Sequence, residues 1–200
     1  MIQSPDALRP LYPTPTDRAL RKSIDHLDAH CREFLALSPF VVLATSGADG
    51  RHDASPRGGA PGFVRIVDAH TLWLPDAPGN NRLDSLANVA EVGRVGMLVL
   101  VPGIDETLRV NGTARVRADD EALATFADER RPPRVVLEIT VEEAYLHCAK
   151  ALMRAQLWNP DVRQERSALP PTRTILSDHT GVAQPPETQA EMVARYAPDL

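Results

Sequence analysis

Between Thr107 and Arg117 apolar and polar side chains alternate. Leu108, Val110, Gly112, Ala114 and Val116 fall on one side, and Thr107, Arg109, Asn111, Thr113, Arg115 and Arg117 on the other. A period of two over this length predicts a strand with one buried face. Val95 to Val101 is almost unbroken apolar sequence and predicts a strand buried on both faces. Phe40 to Thr45 predicts another strand. The turn from Ser46 to Gly50 carries the hairpin dipeptide Asp49-Gly50, and His52 to Pro56 returns from it. Val64 to Val67 and Thr71 to Leu74 form a second hairpin around Asp68-Ala69-His70. Arg134 to Leu146 is the last long strand, apolar at Val136, Leu137, Ile139 and Val141.

Helical spacing occurs elsewhere. Leu20, Ile24, Leu27, Cys31 and Phe34 share one helical face, and Thr14-Pro15-Thr16-Asp17 opens that helix with Thr14 as N-cap. Shorter helices are predicted from about Asn81 to Ala90, from Asp119 to Asp128, from Ala149 to Leu157 and from Pro186 to Tyr196. Strands joined by hairpins outnumber helices and do not alternate with them. The fold class is therefore mainly β with flanking helices, an antiparallel barrel rather than a doubly wound sheet. The expected organisation is a single domain over residues 1–200, with an arm at 1–15, a core at 16–158 and a proline-rich, largely extended arm at 159–200.

Composition narrows the function classes. The apolar fraction of 43% is high enough for a packed core, and a net charge of −5 makes nucleic acid a poor partner. No apolar run approaches the roughly 18 residues of a membrane span, and Met1 to Pro15 lacks the pattern of a secretory leader. Cys31 and Cys148 stand far apart and are read as reduced thiols, so the expected location is the cytoplasm. Lys22 and Lys150 are the only lysines; arginine carries the remaining positive charge and favours bidentate anion contacts.

Candidate chemistry gathers in Asp76-Ala77-Pro78-Gly79-Asn80-Asn81-Arg82-Leu83-Asp84-Ser85-Leu86. A strand runs in, Pro78 and Gly79 turn the chain, and Asn80 or Asn81 caps the helix that leaves. With Arg82 and Ser85 this makes a phosphate seat. Ser55 to Phe63 is too rich in glycine and proline for a central strand, and its glycines permit close approach to a flat ligand beside Arg57. His26 and His30 lie one turn apart without a third ligand and are read as structural, so no metal site is expected. Dinucleotide, Walker A, zincin, CxxC and nucleophile-elbow motifs are absent from the sequence.

Four segments in register resemble one family. They are Asp53 to Val64, Pro78 to Leu86, Pro102-Gly103 with Glu106 to Gly112, and His147 to Arg154 ending in Leu157-Trp158. Over roughly residues 20 to 160 the chain resembles the pyridoxamine 5′-phosphate oxidase-like flavoproteins, in a branch of FMN-dependent enzymes without an assigned substrate. The resemblance implies an FMN-binding split barrel, a homodimer with FMN at the subunit interface, and a small-molecule substrate oxidised or reduced through flavin N5. It implies FMN contacts from Asn80, Asn81, Arg82 and Ser85 at the phosphate, and from Ser55, Arg57 and Gly58 on the neighbouring strand. Arg109 and Asn111 would come from the partner subunit, and Lys150, Arg154 and Trp158 from the C-terminal end. Ala155 stands where that branch often has serine. No side-chain acid or base is assigned. The same seat would serve a flavin-binding protein without turnover, or a split barrel for haem or a deazaflavin.

Overall fold

The computed structural model describes residues 1–77 and 79–199; Pro78, to which the sequence assigns the turn, lies outside them. Eight α-helices are named in chain order among the described residues: α1 (Pro5–Leu8), α2 (Asp17–Arg21), α3 (Ala29–Leu37), α4 (Asp84–Glu91), α5 (Asp120–Ala124), α6 (Lys150–Ala155), α7 (Thr172–Thr180) and α8 (Gln189–Tyr196). The strands are β1 (Phe40–Ser46), β2 (His52–Gly58), β3 (Arg65–Ile66), β4 (Thr71–Pro75), β5 (Arg94–Leu100), β6 (Thr107–Arg117) and β7 (Val136–His147).

All strand pairs are antiparallel, in the order β2-β1-β5-β6-β7-β4-β3. The sheet does not close hydrogen bond by hydrogen bond, since β2 and β3 end the series. It curls nonetheless: Arg57 on β2 reaches Asp76, just past the end of β4, at 2.7 Å. This is a seven-stranded split barrel with flanking helices. Its proline-bearing strand β2 sits at an edge, where a missing N–H removes no ladder bond from a central strand.

Alternation sorts the strands into a core face and an outer face. Val41, Leu43, Met97, Val99, Leu108, Val110, Leu137 and Ile139 are buried, and Cys31, Phe34 and Val89 from the helices, with Leu27 from the loop before α3, pack onto them. Burial and the neighbouring Asp28 push the Cys31 thiol up to about 11, so it is an unreactive core group. Strand β5 differs from expectation. Val95, Met97 and Val99 are buried, but Gly96, Leu98 and Leu100 on the outer face are only half-buried, left partly open by the described residues.

Other departures have local causes. The helix predicted through Leu20 and Phe34 is two helices. Between them Ile24 exchanges backbone hydrogen bonds with Ala144 of β7, at 3.0 and 2.7 Å, and Asp28 caps α3 by accepting from the Cys31 N–H. Thr16, not Thr14, caps α2. Helix α4 begins at Asp84 rather than Asn81, because Asn81 and Leu83 both adopt left-handed backbone, at φ 58° and 62°. Neither Asn80 nor Asn81 is its cap; Asn80 instead accepts from the Arg82 N–H. The C-terminal arm holds a second helix, α7, which the proline count obscured. Pro171 sits at its N-cap, where proline is tolerated, and Gly181 ends it at φ 68°.

The longest ladder, β6 with β7, contains a bulge. Asn111 opposes Glu143, but Gly112 opposes Val141, so Glu142 is the extra residue. A Cβ on Gly112 would fall on the carbonyl oxygen of Thr140. Beyond the bulge lies a smaller core of Trp73, Ala122, Phe126 and Val136, roofed by charge. Arg117 donates to Asp119, Glu121 and Glu138 and lies over the Trp73 ring at 5.0 Å. Burial pushes the Glu138 carboxyl up, but hydrogen bonds from Arg117, Trp73 and Arg115 outweigh it and hold the group below its ordinary value.

Two measurements test this packing. In urea unfolding, Gly112→Ala should lose at least about 3 kcal/mol, because backbone must move to admit the methyl group. Gly58→Ala, whose Cβ would meet only Pro39 O at 3.6 Å, should change stability by less than about 1 kcal/mol. The second concerns acid. Hydrogen bonds from Arg117 hold Asp119 down to about 2, against 3.8 for a free aspartate. Its contribution is complete above about pH 4 and is lost as pH falls toward 2. Thermal melts from pH 5 to 2 should show a shallower decline for Arg117→Met than for the parent chain.

Candidate functional site

The curl of the sheet brings β2, the chain beyond β4 and the start of α4 together. On β2, Asp53, Ser55 and Arg57 share the inward side, facing the first turn of α4 and the chain beyond β4. Helix α4 is held against β1 by its buried Val89 and by Asn88, which donates to Thr45 at 3.0 Å. That fixes Ser85, in the first turn, over β2.

Ser85 donates to Asp53 Oδ2 at 2.5 Å and lies 2.9 Å from the Ser55 hydroxyl. Arg57 ties the group together. Its Nε donates to Ser55 at 3.3 Å, Nη2 to Ser85 at 3.1 Å and Nη1 to Asp76 at 2.7 Å. The guanidinium and Asp76 are each about one-fifth exposed, so this ion pair is shielded from solvent much more than a surface pair. One N–H on each nitrogen of Arg57 is committed, which leaves the second N–H of both terminal nitrogens for an outside acceptor. Arg82 stands at the rim, mostly exposed, and donates to Asp84 at 2.8 Å. The Asp84 hydrogen bond and charge raise the affinity of Arg82 for its proton, and Asp53 adds to the effect. Two arginines therefore face three aspartates here.

Thus Ser55, Arg57 and Ser85 meet directly, with Arg82, Asn80 and Asn81 on the adjoining loop. Asp53 and Asp76 complete the cluster and carried no signal in the sequence. An aspartate two residues before a serine gives no hint that both hydroxyls of the cluster lead to it.

The remaining expected residues lie elsewhere in this chain. Gly58, next along β2, is on the outer face, as alternation requires. Arg109 and Asn111 also face outward. The pairing sets Pro56, Val42, Leu98, Arg109 and Tyr145 in one row across the sheet, and Ala54, Ala44, Gly96, Asn111 and Glu143 in the next. Asn111 donates to Glu143 at 2.6 Å, and Glu143 also accepts from Ser23. These two hydrogen bonds hold the Glu143 carboxyl below its ordinary value, with Arg109 adding charge. Arg109 stacks over the Tyr145 ring at 5.3 Å, and Lys22 lies 4.6 Å from the same ring. A shallow cavity of about 350 Å³ opens beside this row, lined by Thr45, His52, Gly96, Asn111 and Glu142. Lys150 and Arg154 are exposed on α6 and, among the described residues, make no hydrogen bond or ion pair. Trp158 is half-buried, and its indole N–H donates to Ile104 O at 2.9 Å, pinning the chain after α6 to the β5–β6 loop. Gly59, beside Gly58, has a packing role of its own: a Cβ there would strike the Phe63 ring.

Among the described residues no group of three or more His, Cys, Asp or Glu is placed to hold a metal ion, and no helix is long and apolar enough to cross a membrane.

Known proteins bear on this arrangement. Residues 27–148 match the model of the pyridoxamine 5′-phosphate oxidase family, more than half of the chain. No curated protein sequence matches at a significant level. Among solved structures, HupZ of Group A Streptococcus superposes with a TM-score of 0.51 at 16% identity, over 60% of this chain and 92% of that one. A candidate pyridoxamine 5′-phosphate oxidase from Lactobacillus delbrueckii is 23% identical over 61% of this chain and 95% of that one, with a TM-score of 0.48. The family match spans every strand of the split barrel, and with it the Ser55–Arg57–Ser85 cluster; this chain belongs to the pyridoxamine 5′-phosphate oxidase family.

Proposed function

We propose that this protein is an FMN-dependent oxidoreductase working as a homodimer, with the flavin phosphate held at Ser55, Arg57 and Ser85. The observation that carries the reading is the convergence of those three donors beside the first turn of α4. Their chemistry fits a phosphate: a guanidinium with unused N–H groups, two hydroxyls and the backbone N–H groups of a helix start. Arg82, Asn80 and Asn81 flank it on the loop. The open backbone at Gly58 fits a flat ring, since only Pro39 O lies near the missing side chain. When bound, the flavin supplies two-electron transfer at N5 to or from a small-molecule substrate. The protein binds and orients it.

A second copy accounts for the outer face. Pro56, Val42, Leu98, Phe40 and Leu100 form an apolar stretch of sheet that this chain leaves half-exposed or exposed. In a dimer closed over that face, Arg109 and Asn111 of one protomer would approach the flavin of the other. Lys150 and Arg154 would add cations to a seat whose own charges sum to an excess of aspartate. The Trp158 indole N–H is already spent on Ile104, so that residue would offer its ring.

The test is the visible spectrum of the protein with added FMN, followed by anaerobic NADH or NADPH and then air. A flavin spectrum that bleaches and returns supports the enzyme. A bound flavin that no donor reduces turns the reading to a binding protein, and a Soret band turns it to haem. Arg57→Ala should weaken FMN binding by about 1.5–3 kcal/mol, roughly 10- to 150-fold, measured by fluorescence quenching. Arg82→Ala should cost less, because its guanidinium is exposed and already paired. Sedimentation should give a dimer; a flavin-loaded monomer would exclude the shared site.

A further inference from the structure

The hydroxyl hydrogens of the seat are already committed. A serine hydroxyl has one hydrogen to donate. Ser85 gives its hydrogen to Asp53 at 2.5 Å. The 2.9 Å contact between the two serines is therefore donated by Ser55. Arg57 donates to both oxygens, at 3.3 and 3.1 Å, and so occupies acceptor positions only. The relay runs one way, from Ser55 to Ser85 to Asp53, and ends on a carboxylate. A phosphate oxygen in its dianionic form accepts hydrogen bonds and cannot donate. Arriving here it meets no free hydroxyl hydrogen and a negative charge at the end of the relay.

We infer that Asp53 is a specificity-setting residue, an internal carboxylate that competes with a ligand's phosphate for the hydroxyl donors of this seat. Its neighbours sharpen the effect. Asp76 pairs with Arg57 and Asp84 with Arg82, so the charge of each arginine is partly offset by an aspartate even where N–H groups of Arg57 remain free. The seat then takes a phosphate with restrained affinity and releases it readily. A phosphorylated flavin therefore gains less from this seat than the same donors would give without Asp53. Removing the Asp53 carboxylate removes the negative charge and weakens or abolishes the acceptor at the end of the relay, so that the Ser85 hydrogen is free to turn toward the ligand.

The flavin half of this inference rests on the function proposed above; the competition for phosphate does not. Two titrations separate them. In the first, inorganic phosphate is added to the full-length protein and followed by ³¹P NMR. Asp53→Asn, which preserves the side-chain shape, should bind phosphate at least tenfold more tightly than the parent, and Asp53→Ala should also gain. Unchanged or weaker binding in both variants would overturn the inference and make Asp53 a residue that merely positions Ser85. In the second, FMN and riboflavin affinities are compared by fluorescence quenching. The ratio of FMN to riboflavin affinity should rise at least tenfold from the parent to Asp53→Asn, with riboflavin unchanged. A ratio that does not change in Asp53→Asn would overturn the specificity role. If phosphate binding tightens as expected but neither flavin binds, the competition stands and the flavin assignment falls.

Discussion

One backbone contact governs how this barrel presents its side chains. At Gly112 strand β6 passes so close to the Thr140 carbonyl that no Cβ fits, and Glu142 is squeezed out of register on β7. A one-residue slip moves the following side chains to the opposite face. Before the bulge, Leu137, Ile139 and Val141 point into the core; after it Ala144 does. Glu143 and Tyr145 consequently stand outside, opposite Asn111 and Arg109. Without the bulge, an unbroken alternation would carry Glu143 and Tyr145 into the apolar interior. The same displacement sets Ala144 opposite Ile24, which threads the segment after α2 onto the sheet and brings Ser23 to Glu143.

The seat depends on a different feature, the curl that lets an edge strand reach the far end of the sheet. Arg57 and Asp76 are neighbours only because β2 and the chain after β4 approach across the open side of the barrel. The ion pair is largely withdrawn from water, where breaking one partner costs far more than at a surface. It therefore holds Arg57 in place for Ser55 and Ser85. The cost is electrostatic: the proposed phosphate seat carries its own anions, and Asp53 takes the Ser85 hydrogen. Affinity for a phosphate here is a difference between two sets of acceptors competing for the same donors.

Beyond the barrel, the chain leaves apolar surface uncovered. Leu169, Val182 and Val193 in the C-terminal arm are more than half exposed, as are Ile2 and Tyr12 near the start. The arm has order of its own: Glu187 is clamped by Arg173 and Arg195, and a capping box at Thr188 and Glu191 starts α8.

The residue pattern by itself determined the strands, because a period of two survives any packing, and it located the helix that carries Ser85, although left-handed backbone at Asn81 and Leu83 delays its start to Asp84. It also excluded Ser55 to Phe63 from a central strand, through its proline and glycines, and the sheet order puts β2 at an edge. Motif resemblance brought Ser55, Arg57 and Ser85 onto one list. Only the tertiary structure decided what these residues do to one another. Asp53 and Ser85 are separated by most of two hairpins, and their hydrogen bond follows from the position of α4 over β2. The break in the predicted first helix was hidden for the same reason, since the partner of Ile24 lies on the last strand. Local propensity is written along the chain, whereas a relay of three hydroxyl and carboxyl groups exists only where the curl of the sheet brings distant segments within 3 Å.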